Sequence, residues 1–564
     1  RSLRSQGDAW PDFGSRGRDR PDSRPGDDEK AVQQVGCTNR NRTGHWPCCS
    51  VADNASRQRT VTRMRDRHPP FMIQRAASHA FGNTALSAIG LSVAKHAVGH
   101  PGLTGVALVE DGIDAFAIRS RLIAAAERSI DLQYYIWRDD LTGNLLLEDL
   151  RRAAARGVRV RLLVDDNGIP GLDRKLRWLA SDRNFEIRIF NPFRNRHFKP
   201  LDFLLDFHRV NRRMHSKSFT VDNQITCVGG RTVGDEYFAN REQGIFADVD
   251  ALCVGAVVQE VSECFDAFWN FPAAVEIDCI VKEDPKQYAA SGATDFTRSV
   301  SGPSATDYLS RAAGSVLLER ARAGRIEFEW VPVELVSDRP AKVLGQSRQG
   351  DLMASVLRGL IGQPERELLV VSGYFVPTSS GARAFAQMAR NGVDVRVLTN
   401  SFASTDVAMV HAGYAKHRHF LVKSGVRLYE MPAPGDRPKT TRKSLRRPSP
   451  RNTNENATLH AKMFAVDGRR VFVGSFNFDP RSFALNTELG IVIQSENLAA
   501  QMHHAFDTMI ASGSYKIVVD DKGRLNWMDM RDDVRQCELA EPGTTWWSRV
   551  LTRLLSKTPI DWLL

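Results

Sequence analysis

The chain has 564 residues, 42% of them hydrophobic, and a formal net charge of +11. That length holds two to four domains, and the hydrophobic content is that of an ordinary globular protein. The positive charge favours an anionic partner, membrane lipid or nucleic acid, and eight cysteines without regular spacing exclude a disulfide framework.

Residues 1–63 are rich in Arg, Asp, Pro, Gly and Ser, with little apolar periodicity and no signal-peptide core. Cys48-Cys49 beside His45 match no standard zinc spacing. Met64 and Met72 are the first methionines, where translation is expected to start. Residues 1–75 therefore read as a disordered or spurious extension. Phe81 to Val98 is the most apolar stretch, but Asn83, Ser87 and Lys95 interrupt it, so a buried helix is expected there rather than a membrane span. From about residue 110 the pattern is regular. Ala115–Ala126 has helical spacing, Ile130–Trp137 reads as a strand, Leu145–Arg156 as a helix ended by Gly157, and Val158–Val164 as a buried strand. A catalytic strand is expected at Met214–Val221. Residues 276–345 read as a connector, with a Ser/Gly-rich stretch at Ala290–Thr306 and a helix at Tyr308–Arg322. The order then repeats: strand Leu368–Val376, helix Ala382–Arg390 ended by Asn391-Gly392, strand Val393–Leu398, and a second catalytic strand at Thr458–Val466. Arg437 to Arg451 is a basic loop without an acid. After Trp546, apolar and basic residues segregate as in an interfacial amphipathic helix. This is an internal duplication of a mixed α/β unit, with a first domain at 76–275, a second at 346–520 and a tail at 521–564.

Each half carries one unusual string. The first reads His215-Ser-Lys217-Ser-Phe-Thr-Val-Asp222 and the second His460-Ala-Lys462-Met-Phe-Ala-Val-Asp467. Each is followed at equal distance by a small-residue turn, Gly229-Gly230-Arg-Thr232 and Gly474-Ser475-Phe-Asn477. On a strand, the His and the Lys two residues on share a face. Imidazole can attack phosphorus or carry a proton, and an ammonium suits phosphate oxygens. One copy supplies an attacking group without a proton donor for the leaving oxygen; two copies supply both. An isolated strand histidine is ordinarily a core residue, but the repeated spacing points to chemistry. Asp222 and Asp467 end their strands at turn-forming positions, which gives them an orienting or structural role rather than a direct catalytic one. Each His needs an acid on its other nitrogen. Glu488, after His460, and Asp248, after His215, are bounded by apolar strand residues and are the candidates.

The duplicated string resembles that of the phospholipase D superfamily. Asp131-Leu-Gln-Tyr-Tyr-Ile-Trp137, Asn211-Arg-Arg-Met-His215, Gly229-Gly-Arg-Thr-Val-Gly-Asp-Glu-Tyr237 and Ile560-Asp-Trp-Leu-Leu564 look like bacterial cardiolipin synthases of the C type. The resemblance covers roughly residues 80–564. It implies two tandem α-β-α sandwich domains with one active site at their interface. It also implies phosphatidyl transfer through a phosphohistidine, most specifically cardiolipin synthesis. The family's usual assignment makes His215 the nucleophile and His460 the acid/base, although the residues alone leave the order open. Lys217, Lys462, Thr232, Ser475 and Asn477 would bind phosphate oxygens, with no metal or cofactor required. The family usually has Asn where this chain has Thr232, whose hydroxyl donates one hydrogen bond but lacks an amide fork. The implied partner is an anionic phospholipid membrane, with phosphatidylglycerol and secondarily phosphatidylethanolamine as substrates, met peripherally at a bacterial cell membrane. A phospholipase D hydrolase or a nuclease is the competing reading; the apolar aromatic C-terminus argues against nucleic acid.

Overall fold

The computed structural model describes residues 76–196, 198–240, 245–405, 407–433, 457–531, 537–547, 549 and 550. All of them lie within one compact unit, His68–Leu564. The extension at 1–75, the basic loop at 437–451 and the tail beyond 550 lie outside the described residues.

Helix α1 (Ala88–Ala97) precedes strand β1 (Thr104–Val109). Asp111 then caps α2 (Gly112–Ala125), accepting from the amides of Ile113 and Asp114. Next come β2 (Ser129–Tyr134), α3 (Leu141–Ala155), β3 (Arg159–Asp165), α4 (Asp173–Leu179), β4 (Phe185–Phe190) and the short α5 (Lys199–Leu205). The helix crossovers make β2, β3 and β4 parallel. Gly157, at φ +96°, turns α3 into β3 in a conformation that a side chain disfavours. The first sheet is completed by β5 (Ser218–Val221) and β6 (Ile225–Gly229) and, after the short β7 (Ile245–Ala247), by β8 (Asp250–Gly255), β9 (Ala274–Glu276) and β10 (Glu329–Val331). Its order is β10-β1-β8-β6-β5-β2-β3-β4-β9.

The second half contains β11 (Val333–Ser337), β12 (Glu367–Ser372), β13 (Asp394–Asn400), β14 (Arg427–Met431), β15 (Ala457–Leu459), β16 (Lys462–Val466), β17 (Arg470–Gly474), β18 (Leu489–Gln494), β19 (Tyr515–Val519), β20 (Leu525–Asp529) and β21 (Cys537–Glu538). All but β15 form one sheet, ordered β11-β18-β17-β16-β12-β13-β14-β19-β20-β21. The run β18-β17-β16-β12-β13-β14 repeats β8-β6-β5-β2-β3-β4, which is the duplication in three dimensions. Each sheet has helices on both faces. In the first half α2, α3 and α4 cover one face, and Phe265, Phe268 and Trp269 of the helix Ala256–Trp269 pack on Leu163 and Phe190 at the other. The two halves share a hydrophobic core in which Val106, Val228 and Ala251 meet Leu369, Val473 and Ile491. Burying that seam at roughly 25 cal/mol per Å² holds the halves in one orientation.

Several expectations are corrected. The catalytic strands are shorter than expected: β5 begins at Ser218, and the second is broken between β15 and β16 at His460-Ala461. The stretch Phe81–Val98 is not a buried helix; of α1 only Ile89 and Gly90 are buried, and Leu91 is half exposed. The expected helix Tyr308–Arg322 is two helices, Pro303–Ala313 and Val316–Arg322. Ser315 interrupts them, because its hydroxyl caps the second by accepting from the Leu318 amide. The Ser/Gly-rich stretch is largely helical. Strands β10 and β11 lie inside the expected connector, and the second sheet continues past 520 into β20 and β21. Among the described residues no helix is long and apolar enough to cross a membrane.

Candidate active site

The two strings meet at the ends of their sheets through backbone bonds that cross between the halves. The His215 amide donates to Thr487 O (2.9 Å), and the Thr487 amide returns to Arg213 O (2.9 Å). The amides of His460 and Ala461 both donate to Ala247 O (2.8 and 2.9 Å), and β15 pairs with β7 in parallel. This is why the strands break at the histidines: there the backbone leaves its own sheet and bonds to the other half.

The crossing exchanges the acids. His215 Nδ1 lies 2.8 Å from Glu488 Oε2, and His460 Nδ1 lies 2.5 Å from Asp248 Oδ2. Each acid follows one histidine in sequence and orients the other. Both carboxylates are buried. Glu488 accepts from the hydroxyls of Ser475 and, at 2.8 Å, Ser482. Asp248 sits so close to Gly230 that a Cβ there would fall 2.7 Å from its Oδ1. Tyr135 meets the His215 ring edge to face at 5.0 Å, and Tyr237 meets His460 likewise at 5.2 Å. Each lysine folds back on its own motif: Lys217 Nζ donates to His215 O, and Lys462 Nζ donates to His460 O and lies 3.2 Å from Nε2 of that ring.

Burial depresses the pKa of His215 well below the usual imidazole value, and the charges of Lys217, Lys462 and His460 add to it. Lys462 and His460 of the second string thus act electrostatically on His215 of the first. His460 is depressed by burial and Lys462, while Asp248 opposes the shift. Burial lowers Lys217 to about 7, with Glu488 opposing. The acids diverge. Burial would raise Asp248, but His460, Lys462 and Arg231 hold it well below the carboxylate range; burial raises Glu488 despite Lys217. Burial thus favours the neutral form of His215, in which imidazole is a nucleophile, while Asp248 supports the protonated form of His460.

The remaining expected site residues divide. Asp222 and Asp467 lie at the far ends of their strands, away from the histidines. The Asp222 carboxylate accepts from the amides of Glu127, Arg128 and Ser129, and Asp467 from those of Glu365, Arg366 and Glu367. Both adopt positive φ, +50° and +54°, which Asp tolerates in turns. They anchor β2 and β12. Thr232 and Ser475 do not present free hydroxyls to a phosphate: Thr232 Oγ1 donates to Ile136 O and accepts from the Ile136 amide, and Ser475 is bound to Glu488 and the Leu489 amide. The Asn477 side chain is buried, with no partner for its Oδ1 among the described residues.

Two residues escaped the sequence reading. Asp165, ending β3, accepts the Met214 amide (3.0 Å) beside His215. Asn400, ending β13, accepts the Leu459 amide (3.1 Å) and donates to Leu459 O (2.8 Å) beside His460. They occupy matching places in the duplication, so laying the copies over each other beyond the strings would have found them.

The sequence model of the family described as cardiolipin synthase, phospholipase D-like domain, matches residues 120–269 and 357–510. The chain is 41% identical over 466 residues to cardiolipin synthase C of Escherichia coli (strain K12), covering 82% of this chain and 97% of that one. The chain belongs to the phospholipase D-like cardiolipin synthase family. It is also 25% identical over 435 residues to a cardiolipin synthase of Staphylococcus aureus (strain Mu50), covering 76% of this chain and 71% of the relative. The crystal structure of phosphatidylserine synthase from Haemophilus influenzae Rd KW20 superposes with a TM-score of 0.51 at 14% identity, over 84% of this chain and 99% of that one, and so shares its fold.

Proposed function

We infer that this member of the family is a phosphatidyltransferase that makes cardiolipin-type lipids by two displacements at one phosphorus. The observation that supports it best is the pair of histidines, each held through Nδ1 by an acid of the other half. That contact fixes the tautomer and turns Nε2 toward substrate. His215 Nε2 attacks the donor phosphodiester and forms the P–N bond as the P–O bond to the leaving alcohol breaks. His460, protonated for this step, gives its proton to that alcohol. Neutral His460 then takes the proton of the acceptor hydroxyl, whose oxygen attacks phosphorus and expels His215. Glu488 and Asp248 balance the positive charge that each ring carries in turn. Lys217 and Lys462 face the non-bridging oxygens, whose charge grows in the transition state. Asn477 joins them as the uncommitted member of the expected phosphate binders.

Phosphatidylglycerol, through its free glycerol hydroxyl, is the proposed acceptor, with phosphatidylglycerol or phosphatidylethanolamine as donor, taken from a bacterial membrane on which the protein sits peripherally. The test is incubation of purified protein with phosphatidylglycerol, with and without phosphatidylethanolamine, and separately with plasmid DNA. Cardiolipin is the expected product, together with free glycerol when phosphatidylglycerol is the donor and free ethanolamine when phosphatidylethanolamine is. Phosphatidic acid alone would make the protein a hydrolase, and nicked plasmid with intact lipid would make it a nuclease.

A further inference from the structure

The chain between β4 and His215 makes an excursion from the end of the sheet that carries the site. Its neck is tied. Asn191 Nδ2 donates to Arg209 O (3.0 Å) and Arg212 O (2.8 Å), and the Arg209 guanidinium returns to Asn191 Oδ1 (2.7 Å) and Pro192 O (2.8 Å). Asp166, directly after β3, accepts the Phe193 amide through Oδ2 and Lys199 Nζ through its carbonyl. The excursion thus stands on the same β3 end that holds Met214 beside His215. Helix α5 is its tip. Phe203 packs against buried Phe193, with ring centroids 5.7 Å apart, which turns one side of the helix inward. The other side leaves Phe198, Leu204 and Leu205 63%, 80% and 61% exposed. So much clustered apolar surface marks an interaction site.

We propose that the α5 tip docks into the surface of an anionic phospholipid bilayer and presents that bilayer to the end of the molecule where His215 and His460 meet. This rests on the phospholipid reading above. Two observations favour a bilayer over a second copy of the chain. The protein carries a net charge of +11, which draws it to anionic lipid and repels it from itself. The tip also stands at the substrate end of the fold, where a lipid still held in its bilayer has to arrive. Large apolar side chains left exposed at the tip of a helix are the chemistry of an interfacial anchor.

The experiment is pelleting with sucrose-loaded vesicles of phosphatidylglycerol and phosphatidylethanolamine. It compares the parent with Leu204→Asp/Leu205→Asp and with Leu86→Asp. Leu86 is 84% exposed but lies at the opposite end of the sheet, beside Thr84, which bonds Gln224 in the β5–β6 turn. The double variant should lose about tenfold or more in bound-to-free ratio, as expected for withdrawing two leucines from an apolar layer. Leu86→Asp should bind like the parent, and all three should melt alike. All three should also turn over a short-chain phosphatidylglycerol, below its micelle threshold, at the same rate. Parent-like pelleting of the double variant overturns the proposal. So does an equal loss in Leu86→Asp, or loss of a dimer on sedimentation with vesicle binding intact. If the parent binds through the tip but leaves the soluble lipid unchanged, docking stands and the phosphatidyltransferase reading falls.

Discussion

Glu488→Gln tests the exchange of acids between the halves. Glutamine keeps the shape of the side chain and removes its charge. The native carboxylate accepts from His215 Nδ1 at 2.8 Å and from Ser475 and Ser482. The amide presents a donor where one of those partners also donates, and it leaves buried Lys217 without Glu488, the carboxylate that most opposes its desolvation. Removing one partner of a buried charged pair costs about 3–5 kcal/mol. If that cost falls on the transition state, in which the His215 ring becomes cationic, kcat drops roughly 10²–10⁴-fold. Asp248→Asn should do the same through His460. The two are separated with a phosphatidyl ester of p-nitrophenol, whose leaving group needs no proton. One histidine variant, the one lacking the acid, regains release of p-nitrophenol; the variant lacking the nucleophile does not. Glu488→Gln should follow His215→Ala, and Asp248→Asn should follow His460→Ala. If Glu488→Gln instead behaves like His460→Ala, the acids act within their own halves and the crossed geometry is refuted.

Three further outcomes are expected. Lys217 titrates near 7 because of its burial, so its ammonium form is complete below that pH and kcat/KM should fall as pH rises through about 7; Lys217→Arg should abolish this limb in a pH–rate profile, since guanidinium stays charged. Asp222→Ala strips the acceptor from three backbone amides and puts Ala at φ +50°, which should cost about 3 kcal/mol by chemical denaturation, with Asp222→Asn milder and kcat per folded molecule unchanged in both. Asn400→Asp replaces a donor to Leu459 O and Gly373 O with an acceptor and should lower kcat by at least about tenfold through the position of His460, whereas Asp165→Asn keeps an acceptor for the Met214 amide and should be milder in the same assay.

What local pattern encodes was readable in advance. The helices of the first half follow apolar spacing, and α3 stops at Gly157 because the next residue must enter β3 through positive φ. The duplication was visible in the two strings, and with it the doubling of the sheet. What failed depends on contacts distant in the chain. Nothing near His460 says that its amide bonds Ala247, and that bond is what breaks the strand. Glu488 and Asp248 were found as buried acids, but their partners are set by the seam between the halves, which no spacing reveals. Thr232 looked like a phosphate donor because its turn matches that of Asn477; only the fold shows its hydroxyl spent on Ile136. The apolar run at Phe81–Val98 carries no sign of its exposure, because composition does not say which face finds a neighbour.

The central claim is a covalent intermediate on one histidine of a site built from both halves. It is tested most directly by quenching the protein in alkali during turnover of phosphatidylglycerol labelled with ³²P and mapping the labelled peptide. His460→Ala should retain label on the peptide containing His215, and His215→Ala should retain none. Turnover by the parent with label on neither histidine would contradict the account.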